Sequence, residues 1–354
     1  MSRRMGAART AGHVLGLGTA AGLGLLGYAL LEARMPVLRR RSVPVLAPGQ
    51  QPVTVLHLSD LHLTDRTQAR VDWVRGLADL HPDVVVNTGD NLSFASGLLP
   101  LGQALEPFLG LPGAFVMGDH DYRSTVFRLP TRYLRPDPRS ADSPEDANDV
   151  EALPWRAVRD LQSSGGWVDL GNTRGTLEVH GRSIELVGVD DPHADRDVYP
   201  EPAGPHDDGA TPVLDREGRP LRLGLTHAPY RRILDSMSRD DVDLALAGHT
   251  HGGQLCVPGY GALVTNCDLD PARASGLSRY PGALEDPAAV DHMFLHVSAG
   301  LGTSPYTPVR VACRPEATLL TLVPPSLRTT VVAPAHQAAP VLGCVTGRRR
   351  PASG

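Results

Sequence analysis

Short apolar runs rich in Val and Leu recur along the chain from residue 53 onward, and each run ends at a polar cluster. The runs and the residues that follow them are Val53 to Leu58 before Asp60 and His62, Val84 to Asn87 before Asp90, Ala114 to Met117 before Asp119 and His120, Leu221 to Leu225 before His227, and Leu244 to Ala247 before His249. Stretches with helical spacing lie between some of these runs, for example Thr67 to Leu80. Strands that alternate with helices predict a layered α/β fold. Sheets of this kind bind ligands at the carboxyl ends of their strands, so we expect the polar clusters to form one site.

The residue types in these clusters are those of a metal site. Asp60 and His62 stand two residues apart after a predicted strand, a spacing that turns both side chains the same way. His249 and His251 repeat that spacing, and Asp90 follows a glycine that permits a tight turn. Imidazole and carboxylate ligands together suit Zn, Fe and Mn. A single pair of this kind is weak evidence, whereas a series of such clusters after apolar strands predicts a metal centre.

The motifs SDLH, GDN, GDHD, THAP and GHTHGGQ, in that order, resemble the calcineurin-like metallophosphoesterase superfamily. The segments GVDDPH, VSAGLGTSPYTPVR and RPEATLL resemble its membrane-associated bacterial branch, which includes phosphodiesterases of the YkuE and YaeI type. The resemblance implies a four-layer α-β-β-α sandwich with a dinuclear metal centre. It also implies hydrolysis of phosphoesters, with diesters favoured over monoesters, by a metal-bound hydroxide acting as nucleophile.

The resemblance also implies a role for each site residue. One divalent ion would be held by Asp60, His62 and His251, and the other by Asp119, His227 and His249, with Asp90 bridging the two ions. The ions would be Mn, Fe or Zn. His120 would stabilise the phosphate and protonate the leaving oxygen, and Asp121 would orient His120. The resemblance further places residues 300–303 in a tight loop near the metals.

Asp119 departs from the family pattern, which usually has Asn at this position. A carboxylate adds a negative charge that a neutral amide lacks. We therefore expect the second ion to bind more tightly and an anionic phosphate to be attracted less strongly. Asp119 is also the only feature that favours a metal-binding regulatory protein without catalytic activity.

Residues 10–31 contain no charged side chain if His13 is neutral, and Arg residues flank the run on both sides. About 20 apolar residues span a bilayer, so this run predicts a single-pass membrane anchor and a cell-membrane location. A cleaved signal peptide and a soluble segment remain alternatives, and the flanking Arg residues leave the orientation open. The predicted organisation is an anchor at 1–33, a linker at 34–51, a catalytic domain at 52–324 and a disordered tail at 325–354.

The composition argues against a nucleic-acid partner. The chain has 34 Lys and Arg residues against 39 Asp and Glu residues, which is unlike the basic surface of a nucleic-acid binder. The four cysteines form no CxxC motif, and the sequence leaves open whether Cys256 and Cys267 form a disulfide.

An active site held near a bilayer favours lipid-linked or cell-envelope phosphoesters as substrates. A pyrophosphatase that acts on nucleotide-linked lipid precursors is the alternative enzyme, and nothing indicates an oligomeric state.

The sequence allows two interpretations of several further polar residues. Asp190, Asp191 and His193 either line or support the cleft or form a turn at a strand end. Arg123 either meets the substrate phosphate or is solvated. His57 and His296 match no ligand spacing and are expected to be structural or exposed.

Overall fold

The computed structural model describes residues 18–127, 151–201, 219–282 and 293–325. The strands are β1 (Val37–Pro44), β2 (Val53–Leu58), β3 (Val84–Asn87), β4 (Gly113–Phe115), β5 (Val168–Asp169), β6 (Thr173–Val179), β7 (Arg182–Gly188), β8 (Arg222–Leu225), β9 (Leu244–Ala247), β10 (Cys256–Val257), β11 (Gly261–Ala262), β12 (Gly276–Tyr280), β13 (Met293–Val297) and β14 (Glu316–Val323). The helices are α1 (residues 18–32), α2 (Gln68–Gly76), α3 (Leu98–Leu105), α4 (Asp119–Tyr122), α5 (Trp155–Ser164) and α6 (Arg231–Arg239). Short 3-10 segments include Leu77–Leu80, Ala95–Gly97, Glu106–Phe108, His251–Gly253 and Pro271–Arg273.

Two six-stranded sheets form the centre of the described structure. The first has the order β1-β14-β2-β3-β4-β5 and the second has the order β12-β13-β9-β8-β7-β6. Strands β2 to β5 run parallel to one another, as do β7, β8, β9 and β13. The carboxyl ends of β2, β3 and β4 therefore lie at one edge of the first sheet, and those of β8 and β9 at one edge of the second.

The burial pattern gives four layers. Successive residues of a strand point to opposite faces, so Val55 and Leu56 of β2 enter different cores. Val55 packs in a cluster with Leu223 and Leu246 of the second sheet, which joins the two sheets face to face. Leu56 packs in another cluster with residues of α2, α3 and α5, and a third cluster joins the second sheet to α6. This layering agrees with the predicted mixed α/β metallophosphoesterase fold.

All the predicted apolar runs are strands, with small shifts at their ends. Strand β4 ends at Phe115 rather than at Met117, and β8 begins at Arg222 rather than at Leu221. The helix predicted from Thr67 to Leu80 is α2 followed by a 3-10 segment. No disulfide joins Cys256 to Cys267 in the described part of the chain.

The segment 34–51, predicted to be a linker, contains strand β1. Val37–Pro44 pairs in parallel with β14 at the edge of the first sheet, and Arg39 Nε donates to Glu316 Oε2 at 3.1 Å. Charged residues are common on edge strands because one side of the strand faces water. The apolar pattern did not predict this strand because three consecutive Arg residues interrupt it.

Residues 18–32 are helical and carry exposed apolar side chains, among them Leu23, Leu25, Leu26 and Leu31. Across the four described ranges, the structure contains no helix that is both long enough and apolar enough to cross a membrane. The predicted anchor starts at residue 10, so residues 10–17 of it lie outside the described ranges, as do residues 326–354 of the predicted tail. The anchor, the tail and the domain limits stay predictions.

Candidate metal centre

The predicted ligands follow the carboxyl ends of strands from both sheets. Asp60 and His62 follow β2, Asp90 follows β3, Asp119 and His120 begin α4 after β4, His227 follows β8, and His249 and His251 follow β9. Two groups of these side chains have ligand atoms within 4.8 Å of one another. One group is Asp60, His62 and His251, and the other is Asp60, Asp90 and His227. Asp119 and His249 lie outside both groups.

The carboxylate of Asp90 lies between two imidazoles that sequence reasoning gives to different ions. Its Oδ2 is 3.6 Å from His62 Nε2 and 3.4 Å from His227 Nε2. On the other side of His62, His251 Nε2 lies 3.3 Å from His62 Nε2 and 3.6 Å from Asp60 Oδ1. The ligand atoms of these five residues, namely Asp60, His62, Asp90, His227 and His251, therefore converge.

The backbone at most of the predicted ligands is strained. The φ angles of Asp60, His62, Asp90, His249 and His251 are 51°, 42°, 55°, 69° and 48°. Residues other than glycine rarely adopt this left-handed region, and strain of this kind concentrates at functional sites. The turns after β2, β3 and β9 thus hold conformations that aim side chains into the centre at a local cost in stability.

The chemistry of these groups fits divalent metal ions. His227 Nδ1 is 2.7 Å from the Thr88 carbonyl and donates to it, so Nε2 is the atom that faces Asp90. Burial opposes a charge on this ring, yet the carboxylate of Asp90 raises the pKa of His227 well above its ordinary value. That Nε2 is buried and has no hydrogen-bond partner within the described residues. Burial lowers the pKa of His62 to about 3, so its ring is neutral and can act as a ligand. Buried imidazoles and carboxylates that face each other need a positive charge between them, which a proton or a metal ion can supply, so the residues fit a metal.

A buried chain of hydrogen bonds ends on Asp60. Ser59 Oγ donates to Asp60 Oδ2 at 2.5 Å, and Thr88 Oγ1 donates to Ser59 Oγ at 2.7 Å. His57 Nε2 lies 3.0 Å from Thr88 Oγ1, and His57 Nδ1 lies 3.0 Å from His296 Nδ1. Because Thr88 gives its hydrogen to Ser59, His57 must donate through Nε2 and accept at Nδ1 from His296. Every hydrogen in this chain of bonds, which we call the relay, thus points toward Asp60. The sequence did not predict the relay because His57 and His296 are far apart in the chain.

The loop after β13 supports the part of the centre that contains His62 and His251. Arg310 is fully buried, and its Nη2 donates to the carbonyls of Ala299 and Gly302 at 2.7 Å. The same Nη2 is 3.3 Å from His251 Nδ1. A Cβ at Gly302 would lie 2.6 Å from the Cβ of His62, so only glycine lets this loop approach the ligand turn. The expected tight loop at 300–303 is therefore present beside the predicted ligands.

His120 and Asp121 have separate partners. Asp121 accepts hydrogen bonds from the backbone nitrogens of Asp90, Asn91 and Gly118 at 2.9–3.0 Å. It therefore fixes the turn that carries Asp90, whereas the predicted role was to orient His120. The backbone nitrogen of His120 donates to Asp90 Oδ1 at 2.8 Å. Its Nδ1 is instead 3.2 Å from the carbonyl oxygen of Arg123, which is the group that orients this ring.

The environment of His120 favours its protonated form. Burial opposes the charge, yet the carboxylates of Asp90 and Asp119 raise the pKa of His120 above its ordinary value. The ring stands edge-on to that of His62, with centroids 5.2 Å apart. A protonated imidazole at this position can donate to an anion in the centre.

Asp119 pairs with a basic residue on its own helical turn. Its Oδ1 lies 3.2 Å from Nε of Arg123, and both side chains are partly exposed. Arg123 was expected either to meet a phosphate or to be solvated, and the structure gives it a carboxylate partner. The ion pair offsets the charge by which Asp119 differs from the usual Asn.

Two contacts hold the ring of His249 in place. His249 Nε2 donates to the Asn266 carbonyl at 3.1 Å, so Nδ1 is the nitrogen that could bind an ion. The His193 ring packs against the His249 ring with centroids 4.5 Å apart. The GVDDPH segment thus lines the cleft, while Asp191 accepts from the backbone nitrogens of His193 and Ala194 and closes a turn. The Asn266 contact uses a backbone carbonyl, so no side-chain motif could have predicted it.

Comparison with known proteins agrees with this arrangement. The family model of the calcineurin-like phosphoesterases matches residues 53–253, so the chain belongs to that family. The Escherichia coli phosphodiesterase YaeI is 26% identical, over 87% of this chain and 95% of its own length. The uncharacterized Bacillus subtilis protein YpbG is 25% identical, over 78% of this chain and 83% of its own. A Danio rerio transmembrane protein with a metallophosphoesterase domain is 27% identical, over 83% of this chain and 59% of its own.

These relatives confirm the superfamily and the YaeI-type branch that the motifs predict. The chain is a metallophosphoesterase, a metal-dependent hydrolase that acts on phosphoester bonds.

Proposed function

We propose that this protein is a membrane-tethered phosphodiesterase with a dinuclear metal centre. Asp60, His62 and His251 would hold one ion, Asp119, His227 and His249 the other, and Asp90 would bridge them. The observation that supports this most strongly is the position of Asp90 Oδ2, at 3.6 Å from His62 Nε2 and 3.4 Å from His227 Nε2. Mn, Fe and Zn all suit this ligand set.

The chain's own residues would act on the phosphate around the metals. Two divalent ions, when bound, supply Lewis-acid activation of water and neutralise phosphate charge. His120 Nδ1 is held by the Arg123 carbonyl, so Nε2 is the atom that can donate to a phosphate oxygen and pass a proton to the leaving oxygen. Asp121 holds the Asp90 turn rigid, which keeps the predicted bridging carboxylate in place.

A group of aromatic residues favours a substrate with an apolar part. Phe94 and Phe127 each pack edge-on against Tyr306, with ring centroids 6.3 and 6.0 Å apart. Phe94 follows Ser93, whose Oγ is 3.3 Å from His62 Nδ1, so this aromatic group lies close to the predicted ligands. The Phe127 and Tyr306 rings are largely exposed and available for contact. A lipid-linked or cell-envelope phosphodiester would place its apolar portion there.

The diester and membrane assignments draw further support from the relatives. The name of YaeI describes a phosphodiesterase, and the name of the Danio rerio relative describes a transmembrane protein. In this chain the uncharged run at 10–31 contains all but the last residue of α1, which carries exposed leucines. Either side of the membrane suits this tether.

The activity can be tested with the purified full-length chain in detergent. Bis(p-nitrophenyl) phosphate should be hydrolysed faster than p-nitrophenyl phosphate after addition of Mn²⁺, and a chelator should abolish both activities. Faster hydrolysis of the monoester would overturn the diester assignment. Hydrolysis of a nucleotide-linked lipid pyrophosphate alone would favour the pyrophosphatase, and bound metal without any turnover would favour a regulatory protein.

The tether requires a separate test, and the structure determines where the chain can be cut. Removal of residues up to Gln50 would strip β1 from β14, so a shorter deletion of residues 1–26 is the better variant. We expect the full chain to sediment with membranes and this variant to stay in solution with its diesterase activity intact. A full-length chain that stays in the soluble fraction would contradict the tether.

A further inference from the structure

The β-hairpin formed by β10 and β11 exposes an unusual amount of apolar surface. We call residues 255–263 the hairpin. Its side chains Leu255, Val257, Tyr260 and Leu263 are 47%, 45%, 74% and 55% exposed. Residues 252–267 contain no Asp, Glu, Lys, Arg or His. Contiguous exposed apolar surface without charge is rare on soluble proteins and marks a contact with a partner or a membrane.

The hairpin is fixed to the segment 310–313. Leu255 forms a parallel β-bridge with Val311. Cys256 N donates to Val311 O at 2.9 Å, and Val311 N donates to Gln254 O at 3.0 Å. These backbone bonds hold the base of the hairpin against the segment, so the two move as one body.

The same segment holds the end of α1. Arg310 N donates to the Ala29 carbonyl at 3.0 Å. The carboxylate of Glu32 is buried and accepts from Ala312 N at 3.0 Å and from Cys313 N at 2.9 Å. The apolar hairpin and the apolar helix are therefore both attached to the short segment 310–313, which fixes their relative position.

The basic residues that follow α1 suit an anionic bilayer. Arg34 follows α1 directly, and Arg40 and Arg41 lie further along in β1; all three are exposed. Basic residues near an apolar helix are attracted to anionic lipid headgroups. Tyr260 combines an apolar ring with a polar hydroxyl, which is the side chain that membrane interfaces favour. A bilayer surface explains the apolar and the basic residues together, whereas a second copy of the chain would explain only the former.

We propose that the hairpin is a second membrane contact, which inserts Tyr260 and its apolar neighbours into an anionic lipid surface beside α1. This inference extends the proposed tether and does not depend on the type of ester hydrolysed. The hairpin directly follows the 3-10 segment that carries His251, so contact there would hold the metal centre near the headgroups. A phosphoester in the bilayer surface could then reach the centre without leaving the membrane.

The test uses the full-length chain with the substitution Tyr260→Trp and vesicles of phosphatidylcholine and phosphatidylglycerol. Tryptophan emission in this variant should shift to the blue on addition of vesicles, and brominated lipids should quench it beyond the signal of the parent chain. Glu178→Trp is the matched control, because Glu178 is exposed on β6 at the opposite edge of the second sheet from β12. That variant should show no added quenching.

The outcomes separate this inference from the tether. If the chain sediments with vesicles while Tyr260→Trp is quenched no more than Glu178→Trp, the tether stands and the hairpin contact is wrong. If neither the parent chain nor the Tyr260→Trp variant sediments with vesicles and no quenching occurs, both the tether and the hairpin contact are wrong. A blue shift that grows with protein concentration in the absence of vesicles would identify a second copy as the partner and overturn the membrane contact.

A functional variant provides an independent check. The double substitution Tyr260→Ser and Leu263→Ser should leave turnover of a soluble diester unchanged, which also shows that the variant is folded. Turnover of a diester embedded in anionic vesicles should fall several-fold. Equal turnover of the embedded diester by variant and parent would count against the contact.

Discussion

The two sides of the metal centre are held in different ways. In the proposed assignment the first side consists of Asp60, His62 and His251, and the second of Asp119, His227 and His249. On the first side the core itself braces the ligands, through the relay that ends on Asp60 and the buried Arg310 beside His251. On the second side Asp119 pairs with the partly exposed Arg123, and His249 is held by a loop carbonyl. His227 and His249 on the second side and Asp60 and His62 on the first are buried, whereas Asp119 and His251 are half-buried.

This difference leads us to expect unequal affinities. Ligands that are fixed by buried hydrogen bonds lose little conformational entropy when an ion binds. The first side should therefore bind its ion more tightly, while the second side should respond to changes in salt and local charge. Substitutions in each side test that expectation.

The largest effect is expected where the two sides meet. Asp90→Ala should remove both ions and with them the turnover, because one carboxylate faces imidazoles of both sides. Metal content per purified chain measures this result. Asp65→Ala, which removes an exposed carboxylate from the loop after β2, is the control and should keep its metal. Retention of two tightly bound ions by Asp90→Ala would refute the bridging assignment.

The next effect separates metal binding from catalysis. His120→Ala should retain the metal on both sides, since its ring is in neither ligand set, yet lose about 10²–10⁴-fold in kcat, as is typical of a general acid. The loss should be greater for a diester with a poor leaving group than for a nitrophenyl ester. A near-normal kcat with the poor leaving group would show that His120 plays no part in the reaction.

The sequence predicted which candidate ligands lie close together better than it predicted what holds them. The approach of Asp60 and His227 was predictable because strand ends, residue types and spacing are all local in the chain. The relay was not, because His57 and His296 stand 239 residues apart and meet only when β2 and β13 face each other across the core. Strand β1 was missed because its three Arg residues break the apolar pattern of an edge strand. Arg123 follows Asp119 at the i,i+4 spacing that often gives ion pairs, so that contact was within reach of sequence reasoning.

The relay provides a sharper test of the first side. Thr88→Val keeps the shape of the side chain but leaves His57 Nε2 and Ser59 Oγ without their partner. Loss of such a supporting hydrogen bond lowers metal affinity by about 10–100-fold. Titration of the metal-free protein with Mn²⁺ should show this loss for the tighter ion alone.

A matched threonine controls for the effect of the substitution itself. Thr318 is fully buried on the neighbouring strand β14, and its hydroxyl makes no hydrogen bond within the described residues. Thr318→Val should leave both affinities unchanged. If Thr88→Val also leaves them unchanged, the relay has no influence on the first side.

The smallest effect concerns the charge balance on the second side. Asp119→Asn replaces a charged ligand with a neutral one and releases Arg123, so the second ion should bind less tightly and inorganic phosphate should inhibit more strongly. Arg123→Gln should do the reverse, because it leaves the carboxylate without its counter-ion. Both side chains are partly exposed, so water and salt screen the pair, and pairs of this kind contribute about 0.2–1 kcal/mol. Each single change should therefore alter the phosphate inhibition constant by about 1.4- to five-fold.

The double variant decides whether Arg123 compensates for Asp119. With Asn and Gln at these positions, the local charge equals that of the natural ion pair, so the phosphate inhibition constant should return close to its original value. The single effects should also shrink at high ionic strength, whereas the effect of Thr88→Val, which is buried, should not. If Asp119→Asn changes neither metal affinity nor phosphate inhibition, Asp119 is not a ligand. If instead the double variant behaves as Asp119→Asn alone, Arg123 does not offset the extra charge, and this chain's departure from the usual Asn is uncompensated.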